Sequence, residues 1–322
     1  MPNPRLSLVR TGISLCKTHN IDFILAVGGG SVIDSAKAIA SGACLSNEDI
    51  WDFYMDDQKI IKHALPIGVI LTLPATGSES SHGSVITNEE NQMKRSAESD
   101  SMVPVFALMN PEITYSLPPY QSACGASDIL AHMMERYFTQ INYTDLTDRL
   151  LEGAMQTVLI NAPKVLRTPQ DYNARAEIMW TGTLAHNGLL DTGRIGDWGS
   201  HMIEHELSGI YDIAHGAGLS IIFPAWMKYV YHDNLFRFIQ FAQRVFHVDY
   251  DYSSPDDIVL EMIRRLEGFF ESLGLPTRLS QVNIDDTHFH EMAQKALVNR
   301  KYIGNFKKLT VNDIENIFHL AL

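Results

Sequence analysis

Two pairs of side chains at helical spacing could hold a metal ion together. Asp128 and His132 are four residues apart, as are His201 and His205, so the members of each pair leave the same face of a helix. A further histidine, His215, follows within 15 residues of His201. A single histidine is more often an ordinary core or surface residue than a ligand, but this combination indicates a metal site. Mixed imidazole and carboxylate ligands suit Fe(II), Zn(II) or Ni(II) far better than Ca(II) or Mg(II).

A glycine-rich segment, residues 28–34, could bind the pyrophosphate of a dinucleotide. It joins a buried strand to a helix, where glycines permit close backbone approach and the helix N-terminus attracts anions. It is not the GxGxxG fingerprint, and a plain turn with Ser31 as N-cap is an equally good interpretation of this motif alone. A second small-residue segment, residues 72–79, leaves the next strand and adds hydroxyl groups and backbone donors of the kind that surround a dinucleotide.

These residues need two kinds of scaffold. Apolar runs predict buried strands at 23–27, 66–72 and 103–109, with helices at 6–19 and at about 31–41, which is the alternation of an α/β domain. Beyond Leu117 the pattern changes to long amphipathic stretches, which predict helices at 121–137, 147–164, 174–187, 198–209, 235–246 and 255–272. We therefore expect an α/β domain over residues 1–117 and a helical domain over 118–322.

Composition excludes several other classes of protein. With 38 acidic and 25 basic residues the formal charge is −13, which disfavours binding to nucleic acid or to an anionic membrane surface. The three cysteines are far apart and form no CxxC pair, so neither a disulfide framework nor a thiolate zinc site is expected. No apolar run is long enough to span a bilayer. A soluble cytoplasmic protein is the prediction.

Four blocks of the sequence together resemble the iron-containing alcohol dehydrogenases. They are residues 28–37, 73–79, 125–132, and 201–208 leading to 214–216. The resemblance extends along essentially the whole chain, and the most similar branch is the NADPH-linked butanol dehydrogenase and broad aldehyde reductase group. It implies the dehydroquinate synthase-like fold of this family, with an N-terminal dinucleotide-binding α/β domain, an all-helical C-terminal domain and the metal in the cleft between them.

The resemblance also implies a role for individual residues. The metal ligands it implies are Asp128, His132, His201 and His215. His205 is implied to be a proton carrier beside the metal, with a pKa near the working pH. The residues implied to bind the cofactor are Gly29, Gly30, Ser31, Asp34, Thr72, Thr76 and Lys94. For Lys94 the alternative is a solvated lysine in the charged run 88–95. His82 and His186 match no family role and are expected to be structural.

The function implied is hydride transfer between NAD(P)H and a small aldehyde or primary alcohol of the butanol and butyraldehyde type. Fe²⁺ is the expected ion, with Zn²⁺ or Ni²⁺ as alternatives, and NADP(H) is expected in preference to NAD(H). The ion would polarise the substrate oxygen as a Lewis acid, and His205 would relay the proton to solvent. A homodimer is the expected assembly.

One departure from the family leaves alternatives open. Family members usually carry about 60–70 residues before the point where this sequence starts, so the first domain is expected to hold an incomplete parallel sheet with unpaired edges. A metallohydrolase or lyase with the same ligands is the second hypothesis, and the two small-residue segments argue against it because a hydrolase has no use for a dinucleotide cleft. The third, which this departure supports, is a truncated, cofactor-impaired remnant that folds and binds metal without efficient turnover.

Overall fold

The computed structural model describes residues 3–56, 58–250 and 254–322. Its strands are β1 (Ile24–Gly28), β2 (Ile67–Leu71), β3 (Gly83–Asn88), β4 (Met93–Glu98) and β5 (Phe106–Leu108). Its helices are α1 (Leu6–His19), α2 (Gly30–Ala43), α3 (Asp52–Met55), α4 (Pro119–Tyr137), α5 (Asp145–Arg167), α6 (Tyr172–His186), α7 (Gly199–Tyr211), α8 (His215–Val230), α9 (Leu235–Arg244), α10 (Pro255–Ser272), α11 (Phe289–Ala296) and α12 (Val311–Leu320). Within these ranges no helix combines the length and apolarity needed to cross a bilayer.

The first part of the chain contains a three-stranded parallel sheet in the order β1-β2-β5. Ile24 pairs with Ile67, and Gly68 pairs with Phe106. The α2 helix packs on one face of this sheet, and the alternating burial along β1 leaves Leu25 and Val27 exposed on the other. The three predicted strands and the α/β class are confirmed, and β1 and β5 are the two edges of the sheet.

A second, antiparallel sheet was not expected from the sequence. β3 and β4 form a hairpin in which Gly83 pairs with Glu98 and Asn88 with Met93. β3 packs on α2 and β4 packs on α7, so the hairpin lies between the α/β region and the helices. The charged run 88–95 thus comprises the end of β3, an exposed turn at residues 89–92 and the start of β4.

The helices from α4 onward enclose the largest hydrophobic core. Phe138 lies at its centre, with ring centroids 4.4 Å from Phe238, 5.1 Å from Phe241 and 5.5 Å from Trp226. The α4 helix starts at Pro119, whose missing N–H costs nothing at a first helical position. From Ala123 to Tyr137 this helix is buried on every side, which holds its polar side chains rigidly.

Candidate metal and dinucleotide site

Four side chains from three helices converge on one point. One carboxylate oxygen of Asp128 on α4, Oδ1, lies 3.3 Å from Nε2 of His132, 3.7 Å from Nε2 of His215 and 3.9 Å from Nε2 of His201. His201 is on the first turns of α7, and His215 opens α8. Asp128 is only 2% exposed. The structure thus places all four predicted ligands around Asp128 Oδ1, but only Asp128, His201 and His215 have donor atoms that all lie within 4.8 Å of one another.

This arrangement fits a divalent cation. Among the described residues, Asp128 Oδ1 and His201 Nε2 are buried and have no hydrogen-bond partner. Buried polar atoms without partners are rare because each costs desolvation free energy. Here the two atoms face each other across a gap that a metal ion would fill. The donor atoms of Asp128, His201 and His215 all lie within 4.8 Å of one another.

Two buried glutamates orient these imidazoles from behind. Oε1 of Glu135 lies 2.8 Å from Nδ1 of His201, and a carboxylate oxygen of Glu204 contacts Nδ1 of His215. A carboxylate can only accept, so each histidine donates from Nδ1 and keeps the lone pair of Nε2 toward Asp128. Neither glutamate was predicted. A signal existed, since Glu135 continues the face of Asp128 at helical spacing and Glu204 lies three residues after His201.

The charges at the site match those of a metal-binding set. Burial alone would raise the pKa of Asp128, but the neighbouring His132 and His215 lower it well below its usual range. Burial lowers the pKa of His132 to about 4, against the opposing effect of Asp128. At neutral pH the carboxylate is therefore ionised and the His132 imidazole neutral, which are the forms that bind metal.

Lys94 lies in the interior beside this cluster. It is 3% exposed on β4, with Nζ 3.5 Å from Glu204 Oε2. Nζ also lies 3.3 Å from Nδ1 of His215, but that nitrogen donates to the closer carboxylate of Glu204. The alternative of a solvated lysine is wrong, because the hairpin turns this side chain toward α7. Glu204, His205 and His215 form a second group with metal-ligand spacing, but the Lys94 ammonium already supplies the positive charge there.

His205 lies one helical turn after His201 and lines the cleft. Its ring centroid is 5.6 Å from that of His215, and the residue is partly exposed. Burial, followed by the charge of Lys94, lowers the pKa of His205 well below its ordinary value. The pKa of His205 is thus lower than the sequence-based expectation of a value near the working pH. Burial and a neighbouring cation both disfavour the positively charged form of the imidazole.

The glycine-rich segment forms the turn between β1 and α2, as expected. Gly29 is the N-cap of α2, and no side chain caps the helix there. A Cβ on Gly30 would lie 2.5 Å from Cγ2 of Thr76, and one on Gly29 would lie 3.0 Å from Cβ of Leu73. The backbone therefore approaches the second small-residue segment more closely than any side chain would allow.

One cleft of about 240 Å³ connects this turn with the histidines. Of the residues predicted to bind cofactor, those lining it are Gly30, Ser31, Asp34, Thr76 and Lys94. Thr72 lies at the end of β2, where its N–H donates to the carbonyl of Gly28. The Asp34 carboxylate accepts from Ser78 Oγ at 2.6 Å and from the Val85 N–H at 3.1 Å, so it anchors the loops around the cleft.

The histidine end of the cleft has an apolar wall. Trp198 and Met202 line it, and the Trp198 ring lies 5.8 Å from the ring of His132 and 5.3 Å from that of His201. His186 also lines the cleft, whereas His82 is half exposed next to Glu98. Trp198 and Met202 thus give the histidine end of the cleft an apolar surface.

Comparison with known families assigns the chain to one of them. Residues 1–111 match the family of iron-containing alcohol dehydrogenases, and residues 122–322 match the C-terminal region of the Fe-containing alcohol dehydrogenase family. The chain belongs to the iron-containing alcohol dehydrogenase family.

Individual relatives are similar over most of their length. The chain is 43% identical over 321 residues to the probable NADH-dependent butanol dehydrogenase 1 of Bacillus subtilis, covering 100% of this chain and 82% of the relative. It is 37% identical to the NADPH-dependent aldehyde reductase YqhD of Escherichia coli, covering 91% of this chain and 76% of that one. The crystal structure of NADH-dependent butanol dehydrogenase A from Thermotoga maritima superposes with a TM-score of 0.95 at 36% identity, covering 100% of this chain and 81% of that structure.

Proposed function

We propose that this protein transfers hydride between NAD(P)H and a small aldehyde or primary alcohol, with a divalent metal held by Asp128, His132, His201 and His215. The observation that carries the proposal is the single cleft that joins Gly30 and Ser31 to the histidine cluster. A hydride donor bound at one end of this cleft reaches a substrate bound at the other. The relatives named for butanol dehydrogenase and aldehyde reductase activity support the same substrate class.

A bound divalent ion supplies Lewis-acid polarisation of the substrate oxygen. Residues of the protein bind the cofactor, exclude water and orient the histidines. The N–H groups at the start of α2 hold the pyrophosphate of the cofactor, and Trp198 and Met202 exclude water from the reacting carbon. Glu135 and Glu204 hold protons at Nδ1 of His201 and His215, which keeps each Nε2 available.

His205 is proposed to carry the proton. Because its pKa lies well below the ordinary value, the ring is neutral at neutral pH. A neutral imidazole moves a proton by accepting at its bare nitrogen and releasing from the other. Its position on the cleft wall, one turn from His201, supports this role.

Three imidazoles and one carboxylate suit Fe²⁺, with Zn²⁺ and Ni²⁺ as alternatives. For the nicotinamide cofactor NADP(H) remains the predicted preference, although relatives named for NADH and for NADPH are both similar to this chain. A homodimer remains the predicted assembly, which light scattering during gel filtration would test.

A second candidate is a protein that folds and holds metal without efficient turnover. It is favoured by the outward face of the parallel sheet, where Leu25, Val27, Phe106 and Leu108 are exposed. Parallel sheets are usually covered on both faces, and this sheet carries the cofactor turn.

One experiment separates the two candidates. Metal-free protein is reconstituted with Fe(II) or Zn(II), and oxidation of NADPH and of NADH by butyraldehyde is followed. Asp128→Asn protein serves as the control without a complete ligand set. Turnover by the reconstituted wild-type protein alone supports the proposal. One bound metal per chain with no turnover and no binding of either cofactor supports the second candidate.

A further inference from the structure

His186 on α6 lies directly behind the proposed ligand His132. The two Nδ1 atoms are 2.9 Å apart, and the ring centroids are 4.4 Å apart. Two nitrogens at this distance share a proton, so one ring donates and the other accepts. Which one donates decides the protonation of the opposite nitrogen of His132, the atom that faces Asp128.

Arg136 resolves this ambiguity. Its Nη2 lies 3.2 Å from Nδ1 of His186, with donor geometry. A guanidinium group has five N–H donors and no acceptor. Nδ1 of His186 must therefore be an acceptor, and His186 carries its own proton on Nε2.

The acceptor role of His186 also determines which nitrogen of His132 carries the proton. Because Nδ1 of His186 accepts, the proton between the two rings belongs to Nδ1 of His132. The Nε2 atom of neutral His132 is then bare, 3.3 Å from the unpartnered Oδ1 of Asp128. Two acceptors at this distance repel each other unless a cation lies between them.

We propose that Arg136 and His186 form a positioning chain that fixes His132 in the Nδ1–H tautomer and so presents Nε2 to the metal. This inference rests on the proposed metal site. It gives His132 the same kind of support that Glu135 and Glu204 give to His201 and His215. The acceptor is here the neutral ring of His186, which the buried guanidinium group of Arg136 orients. It also assigns a role to His186, which the sequence left as structural.

Neighbouring groups hold Arg136 in one orientation. Arg136 donates from Nη1 to the carbonyl of His132 at 2.9 Å, and its Cζ lies 4.8 Å from the centre of the Trp198 ring. Its Nε is 2.8 Å from Asp191 Oδ1, an ion pair without hydrogen-bond geometry. Arg136 therefore has little freedom to turn away from His186.

Close packing restricts His186 as well. A Cβ on Gly77 would lie 2.6 Å from Cβ of His186. Because Gly77 has no side chain, it leaves space for His186 to reach α4. A glycine with φ of 62° also adopts this left-handed conformation without strain.

The direct test is the tautomer of His132 in metal-free wild-type protein. Nitrogen NMR of histidine-labelled protein distinguishes Nδ1–H from Nε2–H, and the His132 and His186 signals are assigned from their loss in single variants. The inference predicts Nδ1–H for His132 and Nε2–H for His186. Nε2–H on His132 would overturn it, whether or not the protein binds metal, so this result is separable from failure of the proposed function.

Variants test the effect on metal affinity. His186→Phe retains a ring of similar size but removes the acceptor, and His186→Asn places an amide oxygen near the position of Nδ1. Competition with a chelator should show about 10–100-fold weaker metal binding for His186→Phe and largely restored binding for His186→Asn. His232→Phe, at an exposed histidine far from the ligands in sequence, is the matched control and should bind like wild type.

Two results would contradict the inference in these variants. One is wild-type affinity in His186→Phe with an unchanged His132 tautomer. The other is equal loss in the Phe and Asn variants, which would show that only the shape of the histidine matters. If His186→Phe fails to fold, Arg136→Met replaces it, because loss of the guanidinium should release His132 into a mixture of tautomers.

Discussion

Glu135 accepts two hydrogen bonds from His201, one from Nδ1 at 2.8 Å and one from the backbone N–H at 3.0 Å, both at Oε1. The other oxygen, Oε2, accepts from the N–H of Trp198 at 2.7 Å. One buried carboxylate on α4 therefore fixes both the start of α7 and the ring that this helix directs at Asp128.

Glu135→Gln should weaken metal binding by about 10-fold or more. The amide keeps one acceptor for His201 but removes the negative charge and places an NH₂ group against the N–H of Trp198. Chelator competition measures the loss. Glu177→Gln, at an exposed position on α6, is the control and should be neutral. Unchanged affinity in Glu135→Gln would show that the carboxylate does not support the site.

His205→Ala should keep the metal and lower turnover by about 10²-fold, as expected for loss of a positioned proton carrier. His201→Ala should lose both the metal and the activity, because it removes a ligand. Metal content by elemental analysis and steady-state kinetics distinguish the two variants. Equal loss of metal in both would mean that His205 is itself a ligand.

Gly30→Ala should weaken NAD(P)H binding by about 10-fold or more, because the new Cβ would lie 2.5 Å from Cγ2 of Thr76 and must displace it. Metal content should stay the same. Gly153→Ala is the control, since a Cβ there meets open space on α5, and helix propensity predicts a gain of about 0.5–1 kcal/mol in unfolding free energy. Fluorescence titration measures binding, and equal cofactor affinity in both variants would rule out the glycine turn as the pyrophosphate site.

Glu206 on α7 predicts a pH dependence of stability. Burial raises its pKa from 4.5 to about 7, although Arg95 lies 2.6 Å away. The folded state thus holds the proton more tightly than the unfolded state does. The resulting stabilisation is complete below pH 4.5 and is lost as the pH rises through 7, by up to about 3 kcal/mol.

Glu206→Gln is neutral at every pH and should lack this loss. Urea unfolding of both proteins at pH values across this range measures the difference. The free energy of unfolding of the wild-type protein should fall relative to that of the variant as the pH rises. Parallel curves would show that the folded state does not raise the pKa of Glu206.

Much of the fold is encoded locally and was predicted. The α1 and α10 helices have the predicted bounds, since both are amphipathic and α10 begins with a Ser254 cap followed by a proline. The α8 helix was missed because it is apolar nearly all round and contains Pro224, so it shows no helical periodicity. The β3–β4 hairpin was missed because its burial comes from α2 and α7, not from its own charged sequence.

Some features of the candidate site were likewise predictable from the sequence, and others were not. Spacing along single helices pointed to Asp128 with His132, and to His201 with His205. Glu135 shares the face of Asp128 on α4, but its contact with His201, like that of His186 with His132, depends on how α4, α6 and α7 pack together. The low pKa of His205 likewise results from burial and then from the charge of Lys94, which lies 111 residues earlier in the sequence and is brought near by β4.

The most direct test of the account is to titrate metal into metal-free protein while measuring both bound ion and NAD(P)H oxidation by butyraldehyde. The account predicts that activity rises in proportion to bound metal and stops rising at one ion per chain, and that His201→Ala protein remains inactive at every metal concentration. Full activity in protein shown to be metal-free, or activity that does not follow the bound ion, would contradict it.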